Sequence, residues 1–499
     1  MLLSTCVVAG MLVLAISGQS LWIDEGLVAR LTAENSIGEL FAELGRLTTS
    51  DPQMPLYLVY MWLWTGVFGI GEIALRASNI PFAIVLAFAM SWTACRLWRR
   101  PSVALLAGTS PFLCFYMNEA RPYMPVIALS AVSLVAVEAY VVDRDRHGAR
   151  TPWICLTSFL VLCAIYMLGV FLGVALAAML ALEARRRDIP RRAIVADWKW
   201  PVVTHAVLFL PLGAYYLTTL LRGSGGTRGQ PGLGNLAFAA YEFLGFAGLG
   251  PPRHVLRADP EVATLVPYWP WLCLGGLACL GLAFAASTVL RVAEHRAELA
   301  SWAIALTASG VLLTAAALAF RFEFWGRHWA PLFPAFLLGV ARLLSLDSGD
   351  RWFRFARNGV LVLIVSAWGV SDLRLRFMPS YAKDDYRLAA GVALSEASVR
   401  GATVVWVADV ATAQYYGIEA ERDRRPGGWP VRGRAVFAAN WNPSQVETAV
   451  TRRVAPLIVV LSKPDLYDRH GAWRSAIELR GARRVAAPNA FEIYLVDHE

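Results

Sequence analysis

The sequence predicts a polytopic α-helical membrane protein of about eleven transmembrane helices, with an interfacial helix in the first outer loop and a small C-terminal α/β domain outside the membrane. Three observations carry this prediction. Apolar runs of membrane-spanning length recur as far as about residue 375, arginines cluster in the short stretches between them, and from about Pro379 the composition turns to that of a soluble domain. With 57% hydrophobic and 17% charged residues and a mean hydropathy of +0.49, an ordinary soluble enzyme is excluded. The formal charge of +9 follows the positive-inside pattern, so it does not mark a nucleic-acid binder.

Taken in order, Met1 to Ser17 is apolar without a basic flank ahead of it. It reads as a retained first helix rather than a cleaved signal, a start further upstream being the alternative. A polar outer loop (21–72) follows. Within it Pro55 to Phe68 is too short for a span and rich in Leu, Tyr and Trp, which suits a helix at headgroup level. Ala74 to Leu97, Pro101 to Met117 and Tyr123 to Val142 are the next spans. Trp153 to Glu183 is long for one helix and has basic residues at both ends, so it predicts a tight helical hairpin. Pro201 to Leu221 is followed by a Gly/Pro-rich outer loop (222–267). Tyr268 to Leu290, Trp302 to Phe320, Trp329 to Leu344 and Gly359 to Leu373 complete the membrane domain, 1–375.

Charge orients the chain. With a cytoplasmic N-terminus, the basic stretches 96–100, 144–150, 185–199, 291–296 and 342–357 all fall inside. The Asp24 loop, Glu119 to Arg121, the 222–267 loop, Arg321 to Arg327 and the tail then share the outer face. The tail, 379–499, predicts a helix over Asp385 to Val399 and strands over Thr403 to Ala408, Leu457 to Leu461 and Glu492 to Val496.

Candidate chemistry gathers on that outer face. Asp24 and Glu25 are adjacent carboxylates at the mouth of a membrane helix, a costly position that points to function. One of them serves as a general base while the other caps or braces, and a plain helix cap is the alternative for Asp24. Glu119 is a second acid for orienting an acceptor or holding a metal. Arg121, Arg327 and His328 are candidates to bind a phosphate. Asp51, Arg76 and Lys383 are supporting candidates. Asp51 reads mainly as a turn beside Pro52, Glu72 and Arg76 stand one helical turn apart and are expected to pair, and Lys383 opens the tail.

The seven cysteines form no Cys-x-x-Cys pair and the seven histidines show no ligand spacing, so neither a disulfide framework nor a Cys-type zinc site is expected. No P-loop, dinucleotide fingerprint, His-Glu-x-x-His or nucleophile elbow occurs, which argues against ATP-driven transport and proteolysis.

Four pieces then occur in a telling order: Trp22-x-Asp24-Glu25; Asp51-x-x-x-Pro55-Leu56-Tyr57; Phe68-Gly69-x-x-Glu72-x-x-Leu75-Arg76; and Asn118-Glu119-Ala120-Arg121-x-Tyr123. This set resembles the GT-C glycosyltransferases of the protein-mannosyltransferase and aminoarabinose-transferase superfamily, especially the bacterial lipopolysaccharide galacturonosyltransferase-like branch. The resemblance is clearest over residues 20–180 and returns at Arg327-His328. It implies transfer of a sugar from a polyprenyl-phosphate donor to an envelope acceptor (glycolipid, polysaccharide or protein) at the outer face of the bacterial inner membrane. It also implies Asp24 as catalytic base, Glu119 as second-loop acid and Arg327 as a donor-phosphate contact. No cofactor is required, and a divalent metal would be an optional addition. The competing readings are a lipid-linked sugar transporter or flippase, and a non-catalytic polysaccharide-assembly protein. Neither is favoured, because no internal repeat is evident and the charges sit at one face rather than mid-membrane.

Overall fold

The computed structural model describes residues 1–223, 231–258, 261–347, 351–419, 435–451 and 456–497. Parts of the predicted outer loop 222–267 therefore lie outside the described residues. The chain separates into two compact units. One comprises Met1–Ser17, Asn35–Val67 and Arg76–Tyr381; the other comprises Gly18–Glu34, Phe68–Leu75 and Ala382–Glu499.

The first unit is helical. Among the described residues, six helical stretches are long and apolar enough to cross a membrane: Glu72–Leu97, Tyr123–Val142, Met167–Arg186, Arg191–Leu221, Val262–Val289 and Ala293–Phe320. Tyr123–Val142 is the hub, buried along nearly its whole length. In Arg191–Leu221, by contrast, Val202, Val203, Val207, Leu208 and Leu210 remain exposed, as on a helix that meets lipid.

The long helices number fewer than the apolar runs because other runs form shorter helices, among them Leu2–Val13, Thr151–Ile165 and Phe333–Leu343, and one predicted span is divided. Pro101 to Met117 divides into a short 3₁₀ turn, the helix Leu105–Gly108 and the helix Pro111–Met117. The break falls where Ser110 caps the last of these, its Oγ accepting from the Leu113 amide at 3.4 Å with Pro111 at the first helical position. Trp153 to Glu183 divides at Tyr166, whose extended backbone (φ −155°, ψ 115°) separates Thr151–Ile165 from Leu172–Arg186. The first outer loop contains the expected short helix, Pro55–Phe68.

The second unit holds a five-stranded sheet in the order β2-β1-β3-β5-β4, built from β1 (Thr403–Val407), β2 (Ala435–Phe437), β3 (Leu457–Ser462), β4 (Arg483–Ala486) and β5 (Phe491–Val496). Strands β2, β1 and β3 run parallel, and β5 joins β3 antiparallel. Both faces are covered, so β1 and β3 are continuous apolar runs rather than alternating ones. Tyr386, Trp406, Ile458, Val460, Phe491 and Ile493 fill one side; Val405, Val407, Val459, Leu461 and Trp473 fill the other.

This unit is discontinuous in sequence. The helix Ile23–Thr32, which carries Asp24, packs within it against Val410–Tyr415. Gly26 permits the close approach, because a Cβ there would overlap Thr412. Two strands of the unit, β2 and β4, are short and were not evident in the sequence.

Candidate active site

In the second unit, Trp22 holds an extended conformation and starts the helix Ile23–Thr32, placing Asp24 and Glu25 in its first turn. Carboxylates are favoured there by the helix dipole. Glu25 is fully buried. Its Oε2 accepts from the Trp22 amide at 3.3 Å and from Lys383 Nζ at 3.0 Å, so this acid both caps the helix and binds the start of the tail. Lys383, at the opening of the tail, keeps only 9% of its side chain exposed.

Asp24, the neighbouring acid, is half-buried and lies within electrostatic reach of Asp409 and Tyr467. Asp409 caps Val410–Tyr415, its Oδ2 accepting from the Thr412 amide and hydroxyl at 2.8 Å each. Burial pushes the Asp409 carboxyl above its ordinary range, opposed by the Thr412 donors, with the Asp24 charge adding to the rise. Nearby, Lys463 pairs with Asp384. Asp24 thus stands on a short, braced helix at an acidic end of the sheet.

Glu72 and Arg76 each take a partner other than the one their spacing suggests. The Glu72 carboxylate accepts from Arg387 at 3.1 Å and from the Tyr416 hydroxyl at 3.0 Å, within the second unit. Arg76 is fully buried in the first unit and donates to the Ser17 carbonyl at 2.7 Å. The tertiary fold supplies each with other partners, and an i,i+4 pair contributes only ~0.3–0.5 kcal/mol.

In the first unit, Arg121 meets Asp51 at 2.9 Å with both side chains at most 4% exposed, and Thr49 donates to the other Asp51 oxygen at 2.8 Å. Asp51 is thus an ion-pair partner as well as part of a turn. The irregular Asn118–Pro122 turn is fixed by Asn79, whose amide reaches the Glu119 carbonyl at 2.7 Å and the Met117 carbonyl at 3.1 Å. Asn118 accepts from the Ser17 amide at 2.8 Å. Glu119 is buried.

Beside this turn lies a group of charges from three segments. Arg253 stacks on Phe115, its guanidinium carbon 3.5 Å from the ring centroid, and one of its nitrogens lies 3.4 Å from the Tyr116 hydroxyl. It pairs with Glu242, at the end of the helix Leu233–Phe243. Glu119 acts electrostatically on Arg253, and Arg327 acts on Glu242. Gly326 lies so near the Glu242 carboxylate that a side chain there would overlap it. His328 shapes the same turn, its Nδ1 accepting from the Trp325 amide at 2.7 Å.

Arg253 and Glu242 were not picked out from the sequence. Their signals were present, as a lone acid inside an apolar helix and an arginine directly after Pro251-Pro252. Among the described residues, no group of three or more His, Cys, Asp or Glu side chains is placed to hold a metal ion.

A membrane-spanning helical unit and a small mixed α/β unit interleaved with it in sequence together define a class of membrane protein. The fold is that of the GT-C glycosyltransferases. Over 100% of this chain and 98% of the other, it is similar to ArnT from Cupriavidus metallidurans bound to undecaprenyl phosphate, with a TM-score of 0.51 at 15% identity. The apo state of the same protein gives a TM-score of 0.51 at 14% identity, over 99% of this chain and 97% of the other. No protein-family model matches the chain, and no curated protein matches it in sequence.

Proposed function

We propose that this protein is a membrane glycosyltransferase that moves a sugar from a polyprenyl-phosphate donor to a hydroxyl of an envelope acceptor. In this reading it works at the outer face of a bacterial inner membrane, with its N-terminus cytoplasmic and its C-terminal unit outside. The observation that supports it most is the whole-length likeness to a structure occupied by undecaprenyl phosphate.

The chemistry follows from the charges. A polyprenyl phosphate is a leaving group that already carries its own charge, so no nucleotide site is needed. As the bond between the anomeric carbon and the phosphate oxygen breaks, negative charge grows on the phosphate, and Arg327 and Arg253 stabilise it. The acceptor oxygen attacks the opposite side of that carbon while Asp24 takes its proton, giving inversion. Glu119 orients Arg253 through its charge. Glu25 and Lys383 brace the helix that carries Asp24, and Asp51 with Arg121 braces the membrane unit. A divalent metal is not required by this scheme.

The test is a transfer assay in native membranes with radiolabelled polyprenyl-phosphate sugars, comparing wild type with Asp24→Asn at matched expression. Wild type is expected to consume one donor and Asp24→Asn to lose at least about a hundredfold in rate, the scale of a general base. Equal consumption by both would make Asp24 a helix cap. No consumption of any donor by folded wild type would move a lipid-linked sugar transporter ahead.

A further inference from the structure

Glu242 has an unusual setting for a carboxylate. It is 1% exposed, yet neither oxygen makes a well-formed hydrogen bond. Its partner Arg253 is also incompletely engaged: Nε has no acceptor, and about a third of the side chain (32%) remains exposed. Burying a carboxylate with a single, imperfectly aligned partner is costly, and a permanent structural pair would be expected to satisfy both forks. An anion with more oxygens would satisfy Arg253 better than Glu242 does. Arg327 lies within reach of the same point, with Gly326 leaving room beside it.

Resting on the donor-phosphate role of Arg253 and Arg327, we infer that Glu242 is an internal stand-in for the lipid phosphate. It pairs with the Arg253 guanidinium, under the electrostatic influence of Arg327, and is displaced when the phosphate arrives. Glu242 is thus a positioning residue that competes with the donor. It keeps two arginines from repelling one another beside the empty site, and it keeps adventitious anions out.

This role makes donor binding depend on pH in a defined direction. Burial pushes the Glu242 carboxyl above its ordinary range, opposed by Arg253 and Arg327. Arg253, Arg327, Tyr241 and Tyr116 are the charged and titratable groups facing it, with Glu119 acting through Arg253 and His328 in the adjoining turn. The arginines and tyrosines hold their charge state across neutral pH. At high pH ionised Glu242 competes fully; as pH falls it takes a proton and competition fades.

The experiment measures farnesyl phosphate binding to the purified full chain in detergent, with farnesol as the uncharged control. Glu242→Gln is expected to tighten farnesyl phosphate binding about tenfold at pH 8, with the ratio to wild type falling towards unity as the pH is lowered; ~1.4 kcal/mol corresponds to that factor. The ratio removes the titration of the phosphate itself. Glu242→Asp, which keeps the charge but withdraws it from Arg253, is expected to fall between the two and serves if the glutamine variant does not fold. In an Arg253→Gln background the advantage of Glu242→Gln should shrink. Unchanged or weaker binding by folded Glu242→Gln and Glu242→Asp overturns the inference while leaving the polyprenyl-phosphate reading standing. If no variant distinguishes farnesyl phosphate from farnesol, both fall together.

Discussion

Replacing Glu25 should undock the helix that carries Asp24 without touching the proposed chemistry directly. Glu25 is fully buried and Lys383 keeps 9% of its side chain exposed, so Glu25→Ala leaves a nearly buried ammonium without its carboxylate. Breaking such a pair costs ~3–5 kcal/mol, and the lost cap on the Trp22 amide adds about 0.5–1 kcal/mol. The destabilisation falls on the segment Gly18–Glu34, whose other ties include the packing of Gly26 on Thr412, the hydrogen bond from the Leu21 amide to Tyr416 at 2.7 Å and the bonds of Arg387 to Gly18 and Ser20. Amide hydrogen exchange over 23–33, followed by mass spectrometry on the intact chain, reads this opening. Exchange should speed up by about three hundredfold to twenty thousandfold, while Asp24→Asn changes it little. If Glu25→Ala leaves exchange over 23–33 at the wild-type rate, the Glu25–Lys383 pair does not hold this helix and the division of roles between the two acids is wrong.

Two further outcomes follow from buried charges. Arg121→Met should strip Asp51 of its partner and lower thermal stability by ~3–5 kcal/mol, and the double variant Asp51→Asn, Arg121→Met should recover much of it in a thermal unfolding series. The pH dependence of the C-terminal unit should carry the mark of Asp409. Its carboxyl is raised by burial, so the native state binds a proton that the unfolded chain releases near pH ~4, and stability falls as pH rises from there through the raised value. Limited proteolysis of that unit between roughly pH 4 and 7 should show the slope, and Asp409→Asn should flatten it.

What could be read from the sequence was set by how local each cause is. The apolar runs, the short helix Pro55–Phe68 and the strands at 403, 457 and 491 announce themselves within a window of residues. The break at Ser110-Pro111 was missed, because the run Pro101 to Met117 is apolar throughout and reads as one span, although the cap signal is local. The missed strands, Ala435–Phe437 and Arg483–Ala486, are too short or too polar to show a period, and take strand form by pairing with β1 and β5. Site residues divide in the same way. Asp24, Glu25, Glu119 and Arg327 stand out as charges beside apolar segments. Which of them is braced, and by what, is settled by contacts across many residues: Glu25 to Lys383, Arg121 to Asp51, Glu72 to Arg387. No spacing rule reaches that far.

The discontinuity of the second unit bears on why a membrane enzyme of the proposed kind would carry a soluble sheet. Asp24 lies on a helix of only ten residues, too short to be stable by itself in water. Its fixed position comes from the tail: Thr412 receives Gly26, Lys383 receives Glu25, and Tyr416 receives Leu21. Glu72 is held in turn by Arg387 and Tyr416. The two excursions of the first outer loop are therefore anchored by residues more than three hundred positions later in the chain. If Asp24 is the general base of the proposed reaction, it must be held to within a fraction of an ångström to be effective, and an extended loop leaving a membrane helix cannot do that unaided. In this arrangement the α/β unit supplies the rigidity that the loop lacks. A tail without a recognisable motif can therefore be required for activity while contributing no catalytic group of its own.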